Sequence, residues 1–325
     1  MKKNAIKCLM VVILGVVVAV AGGCSGSSGS GSSSSGSGGS TVTQDKAEIE
    51  NVIETDTTGL FKGFVDDSGT YQDSSKASKA SAEQEAELLS AYDFDMRPWW
   101  YRSPAAPVTK TYTVQVTGDT ALVTVNRQRD WVFNLDLDHD LTFGTKTAEH
   151  EAVRYAIFTR GSSVEGATNN SAWQLSSITV AEATMRDDTL DTLAIEELTA
   201  TVGGETVFNH TAAAAYIDLD DIPTLTAGAE VVVTAKATNS SGEVVVYLHN
   251  RAFRRLRHTR WIMFDDGQRG GDQTEGDDVY TGTYTVPTTP GYYHVAIDVI
   301  SRSAFDDEST DNYSAYAWIF PYKVE

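Results

Sequence analysis

The chain has 325 residues, 41% of them hydrophobic and 10% aromatic, which is enough for packed cores in two domains of common size. It carries 45 acidic against 25 basic residues, a formal net charge of -20 that disfavours nucleic acid and anionic lipid headgroups and suits a divalent cation or a basic partner. Its two cysteines, Cys8 and Cys24, both lie near the start, so the residues beyond them hold no disulfide framework, cysteine nucleophile or thiolate zinc site.

In chain order, Met1 to Lys7 is short and basic, Leu9 to Ala21 is an apolar run broken by Gly15, and Ala21-Gly22-Gly23 leads into Cys24. A basic start, an apolar stretch too short for a comfortable span and small residues before a cleavage point predict a signal peptide over residues 1–23. The arrangement resembles the lipobox of bacterial lipoproteins. That resemblance implies that Cys24 is lipidated, becomes the first mature residue and anchors an exported protein to the bacterial membrane. Ser25 after the cysteine is compatible with delivery to the outer membrane or cell surface. An ordinary signal peptide followed by an incidental cysteine is the plainer alternative. Losing the leader removes Lys2, Lys3 and Lys7 and no acid, leaving the rest more negative.

Residues 24–42 form the lipidated cysteine and its tether. Ser25 to Ser40 is Ser and Gly alone, a flexible coil with a reach of roughly 20–25 Å. From Thr43 the pattern is helical: Asp45 can cap, and Ile49, Val52, Ile53, Leu60, Phe61 and Phe64 recur at three- and four-residue steps. A second acidic helix is predicted over Ala82 to Tyr92. An aromatic cluster, Trp99-Trp100-Tyr101, follows between Pro98 and Pro104. Lys110 to Thr117 and Thr120 to Gln128 alternate about Gly118-Asp119 and predict a hairpin; Trp131 to Leu137, Glu149 to Arg160 and Ala172 to Ala181 predict further strands. Two helices and then long antiparallel strands ending in Trp173-Gln174-Leu175-Ser176-Ser177-Ile178 resemble the NTF2-like fold over residues 43–185. The resemblance implies a curved sheet wrapped on a helix around a cavity, a fold that serves both enzymes and binding modules.

Residues 186–222 read as a mixed connector, with Ile195-Glu196-Glu197-Leu198 and Val207-Phe208-Asn209-His210 as short strands that can already belong to the second domain. Over 223–325 the runs Glu230 to Asn239, Val244 to His249, Trp261 to Phe264, Val279 to Val286, Tyr292 to Val299 and Tyr316 to Tyr322, separated by turn residues, predict a β-sandwich. The phrase Asp265-Asp266-Gly267 through Gly276-Asp277-Asp278-Val279-Tyr280-Thr281 resembles the acidic turn of Ig-like domains in bacterial exported proteins, including those called choice-of-anchor domains. It implies a structural or binding module without chemistry of its own. The predicted fold class is therefore two domains: an α+β NTF2-like curved antiparallel sheet with N-terminal helices, then an all-β Ig-like sandwich.

Among candidate sites, Asp265, Asp266, Asp272, Asp277 and Asp278 interleave with glycine, and hard cations take several oxygens from such loops, so calcium is the candidate metal. No EF-hand spacing fits, and solvated acidic turns are the alternative. Asp136, Asp138 and Asp140 form a second alternating cluster, and Asp218-Asp220-Asp221 and Asp306-Asp307-Glu308 read as loops. The six histidines show neither H-x-H nor H-E-x-x-H spacing, and neither a G-x-S-x-G elbow nor a phosphate loop is present. No catalytic residue is therefore assigned. The alternative, an enzyme of the NTF2-like cyclase, dehydratase or hydrolase type, would use Asp130, His139 or His150 beside Tyr155 as acid or base. Trp99, Trp100 and Tyr101 are candidates for binding a sugar or apolar ligand at a cavity mouth, or for closing a core. The basic run Arg251 to Arg260 can pair with the chain's own acidic loops or dock on a partner's acidic patch. The expected function is a non-catalytic cell-envelope lipoprotein that binds or displays a ligand or protein partner at the membrane surface, without nucleic acid.

Overall fold

The computed structural model describes residues 38–56, 58–61, 99–137, 142–161, 172–185, 192–240, 242–250, 259–308 and 312–325. Cys24, the predicted helix at 82–92, His139, Asp138, Asp140 and most of the basic run lie outside them. Gly39–Glu325 is one compact unit.

Among the described residues a single helix, α1 (Gly38–Glu54), precedes the strands. Its Asp45, Ile49 and Ile53 recur every four residues, so they line one buried stripe. Instead of capping, Asp45 accepts from Arg160 Nη2 at 2.8 Å and Trp173 Nε1 at 3.0 Å, pinning the helix to the sheet.

The strands are β1 (Trp99–Pro104), β2 (Thr109–Thr117), β3 (Thr120–Asp136), β4 (Gly144–Arg160), β5 (Trp173–Thr179), β6 (Ala181–Met185), β7 (Leu193–Val202), β8 (Glu205–His210), β9 (Tyr216–Asp218) and β10 (Thr224–Leu225). They continue with β11 (Glu230–Asn239), β12 (Val244–Asn250), β13 (Thr259–Ile262), β14 (Val279–Thr285), β15 (Gly291–Ser301) and β16 (Ala315–Val324). One curled antiparallel sheet runs β1-β3-β4-β6-β16-β15-β12-β13. β3 and β4 have 17 residues each, long enough for their far ends to pair instead with β2 and β5, and β9 extends that end. A second sheet, β14-β11-β7-β8, lies on the outer face of β16, β15 and β12. Phe208 stacks on Phe320 at 4.9 Å, His210 meets Trp318 at 6.1 Å and Tyr284 meets Tyr322 at 6.0 Å across the two layers.

The expected α+β NTF2-like fold with N-terminal helices, followed by a separate Ig-like sandwich, does not form. The protein is mostly β, with one helix among the described residues. The reason lies in the edge of β4. Its His150-to-Val153 segment pairs with β6, whose other edge pairs with Tyr316 to Ile319 of β16. An unpaired edge would expose a row of backbone donors and acceptors, and here the C-terminal strands complete the sheet. The strands on either side of residues 185 and 223 therefore share a sheet, and residues 193–210, read as connector, supply half of the second layer.

Side chains directly opposite one another share a sheet face, so the inner face of the curl can be followed across strands. Four cations on it, Arg102, Arg127, Lys146 and Arg154, are buried. Arg127 donates to the Phe61 carbonyl, Arg154 to those of Leu60 and Ile319, and Lys146 to that of Ala304 at 2.7 Å. They hold the segment after α1, and the short turn after β15, against the inside of the curl.

Candidate functional site

Among the described residues, two places gather chemistry-bearing side chains. The first lies inside the curl. Arg102 on β1 and Asp298 on β15 are 0% and 1% exposed and meet in a bidentate ion pair, Nη1 to Oδ2 at 2.8 Å and Nη2 to Oδ1 at 3.1 Å. His249 Nε2 on β12 lies 3.3 Å from the same carboxylate. The guanidinium sits over the rings of Trp100 at 5.5 Å and Tyr313 at 5.4 Å, and His150 on β4 stacks on Tyr313 at 5.9 Å. Burial works against the charge on Asp298, but Arg102 and His249 together outweigh it and hold the carboxyl down at about 2. Burial, then the repulsion of Arg102, lowers His150 to about 3 and keeps it neutral. For Tyr313 burial dominates and pushes the phenol up. Chemically the group is a neutralised pair within an aromatic shell.

Trp100 belongs to that shell. It is 4% exposed, donates from Nε1 to Tyr247 Oη at 3.1 Å, and packs on Phe133 and Phe305 at 5.2 and 5.9 Å. Tyr101, half-buried, meets Phe143 edge-on at 5.3 Å. The side chain of Trp99 lies outside the described residues. The structure thus places Trp100 in a core, while alternation turns Tyr101 to the opposite face.

The second place is the acidic turn between β13 and β14. Phe264 bridges to Thr281 and Asp266 to Glu275, drawing the loop back along the strand. Gly270 has φ +65, and a Cβ there would stand 2.6 Å from the Thr281 carbonyl oxygen, so only glycine fits. Asp278, where the resembled turn has glycine, takes φ 62, a left-handed conformation that Asp tolerates better than most side chains. Asp265 accepts from the N–H groups of Gly276, Asp277 and Asp278 at 2.8, 3.2 and 3.0 Å. Asp266 accepts from Gln268 and Arg269 N–H at 3.0 and 2.8 Å and from the Arg269 side chain. Asp272 accepts from Gly267 N–H and Asp277 from Val279 N–H at 3.1 Å.

One oxygen each from Asp265, Asp272 and Asp277 lie within 4.8 Å of one another. Asp266 is turned to Arg269, and Asp278 stands outside that group. Oxygen-only donors suit a hard cation in kind, and burial, helped by the neighbouring Asp277 charge and opposed by the backbone donors, sets Asp265 above its ordinary value. All four capping carboxylates are nevertheless committed to the turn's own N–H groups, which accounts for their presence without a metal.

The other candidates are dispersed. Asp130 and Tyr155 point outwards and His150 inwards, so His150 and Tyr155 do not face one site. Asp136 is buried. Asp218 accepts from Ser177 Oγ at 2.6 Å. Among the described residues no helix is long and apolar enough to cross a membrane. Sequence reading missed Arg102, His249 and Asp298. The available signal was a lone Asp298 inside the apolar run Val295-Ala296-Ile297-Asp298-Val299-Ile300, a burial that demands a partner. No protein-family model matches this chain, and no curated protein is significantly similar to it.

Proposed function

We propose that the chain is a non-catalytic cell-envelope lipoprotein that carries a β body on a lipid anchor and binds or displays a ligand or partner there. The order of parts carries this reading: Cys24, then a run of Ser and Gly alone that leads into one compact unit from Gly39. The interior supports it, because Asp298 and His150 are held far from the neutral range in which a general acid or base works. The alternative, an enzyme acting from inside the curl, draws on the convergence of Arg102, Asp298, His249 and His150.

The test of the anchor is fractionation of cells expressing the full chain and its Cys24→Ala variant. Recovery of the parent in the membrane pellet and of the variant in the soluble fraction is expected; an unchanged distribution would remove the anchor. Calcium titration of the purified chain reports separately on the acidic turn. A saturable rise in melting temperature, lost in Asp265→Ala and Asp272→Ala, would make the turn a cation site, whereas a flat response leaves the carboxylates as turn caps.

A further inference from the structure

Four large hydrophobic side chains stand exposed among the described residues, and three of them, Leu122 (46%), Tyr155 (37%) and Tyr216 (43%), share one face. Strand register places them in two adjacent rows. Leu122 of β3 is opposite Ile157 of β4, which is opposite Ser177 of β5, which is opposite Asp218 of β9. Two residues along, Thr124 is opposite Tyr155, the Tyr155 N–H donates to Thr179 Oγ1 at 3.1 Å, and Thr179 is opposite Tyr216. The two tyrosines therefore flank Thr179, which is fully buried between them, about 9.5 Å apart at two strand spacings. This is the outer face of the curl, at the end that the second sheet leaves open.

We propose that this strip is a binding platform for a neutral polysaccharide chain. The inference rests on the reading of the protein as a binding or display module and names the ligand class. Pyranose rings present C–H faces that lie on tyrosine rings, and two rings set two strands apart match alternate sugars of an extended chain. Hydroxyl partners stand beside the rings: Thr124 and the exposed carboxylate of Asp218, with exposed Thr113 and Gln115 continuing the rows on β2. The charge of the molecule argues against an anionic polymer, since a chain of net charge -20 with Asp218 in the strip repels one. A second copy fits poorly too. Like charges would meet, and a strip led by three apolar side chains falls well short of the roughly 800 Å² per partner of a stable interface.

The experiment is electrophoresis of the full chain, in neutral detergent, through native gels cast with hydroxyethyl cellulose, galactomannan, xyloglucan or laminarin, with carboxymethyl cellulose as the anionic arm. Retardation in at least one neutral gel and none in the anionic gel is expected. The pair Tyr155→Ala and Tyr216→Ala should weaken it about tenfold or more, each lost ring contact being comparable to an aromatic pair. Tyr155→Phe with Tyr216→Phe keeps the stacking surfaces and should retain most of it. Melting temperature confirms that both pairs fold. Free migration in every neutral gel, equal retardation of the alanine pair, or retardation only by the anionic polymer would overturn the proposal. So would self-association of the parent that the alanine pair abolishes, which would make the strip an interface between copies. Loss of the membrane anchor would leave these gel shifts untouched, so the two readings fail separately.

Discussion

At the scale of single residues, the Arg102–Asp298 pair makes the sharpest demand on the fold. A buried ion pair contributes little net stability, but removing one partner strands a charge in an apolar shell. Asp298→Asn or Arg102→Met should therefore lower unfolding free energy by about 3–5 kcal/mol, and the double change to Met and Leu should cost less than either alone. Urea unfolding of the three variants checks the order. The same residues set the pH dependence. His150 titrates near 3 when folded and near 6.5 when unfolded, so below about pH 6.5 only the unfolded state takes up its proton and stability is lost as the pH falls. Asp298, near 2 when folded and near 3.9 when unfolded, adds a second loss between about pH 4 and pH 2. Stability should thus fall by about 1.4 kcal/mol per pH unit for each group in its window. His150→Gln should flatten the profile between pH 6 and pH 4, halve its slope between pH 4 and pH 3, and leave the Asp298 loss below pH 3 unchanged. An unaltered slope in that variant would mean that His150 is accessible and charged in the native state.

At the scale of elements, local chemistry was legible where it acts over a few residues. Gly118-Asp119 makes the expected hairpin, with Thr117 opposite Thr120 and a positive φ of 59 at Gly118. β11 occupies Glu230 to Asn239 as alternation predicts. What failed was the assignment of partners. Trp131 to Leu137 read as its own strand because Arg129 and Asp130 look like a break, yet β3 runs through them. Arg129 is stacked over Trp131 at 4.4 Å and bonded to the Ala106 carbonyl at 3.3 Å, so its charge does not interrupt the strand. Glu196 and Glu197 interrupt the apolar pattern of β7 within the expected connector, yet the strand forms, and the Lys236 side chain of β11 meets Glu196. Two glycines separate conformational demand from packing demand. Both Gly118 and Gly270 have positive φ, but a Cβ at Gly118 meets nothing within 4 Å while at Gly270 it strikes the Thr281 carbonyl. Gly118→Ala should cost about 1 kcal/mol, and Gly270→Ala more, about 2–3 kcal/mol, because the backbone must also move. Equal melting temperatures for the two variants would show that the acidic turn yields freely.

At the scale of the whole molecule, the chain separates its charges. The surface carries the acidic excess, while buried cations face the inside of the curl and hold chain segments separated by long stretches of sequence. Arg154 joins β4 to the Leu60 carbonyl and to β16, and Arg102 joins β1 to β15. Such pairings carry no local signature, since the strands concerned look alike in composition and only closure of the sheet decides which edges meet. The hydrophobic core shows the same dependence. Ile49 and Ile53 of α1, Val123 and Ala152 of the curled sheet and Val231 and Val233 of the second layer belong to one contiguous cluster. A second cluster inside the curl is shared in the same way, joining Trp100 and Phe133 of the first half to Tyr247, Ile300 and Tyr313 of the second, so neither cluster can be opened by unfolding one half alone. The chain from Gly39 should therefore melt in a single calorimetric transition whose enthalpy equals its van't Hoff value. A fragment ending at residue 222 should not fold, because it lacks β16, the partner of β6, and with it Asp298, the partner of Arg102. Its circular dichroism and amide exchange should be those of an unfolded chain, and adding residues 223–325 in trans should restore strand signal if the two parts recognise each other. A fragment that instead melts cooperatively alone would show that the long hairpin of β3 and β4 with α1 suffices as a core, and that the C-terminal strands join a sheet already formed.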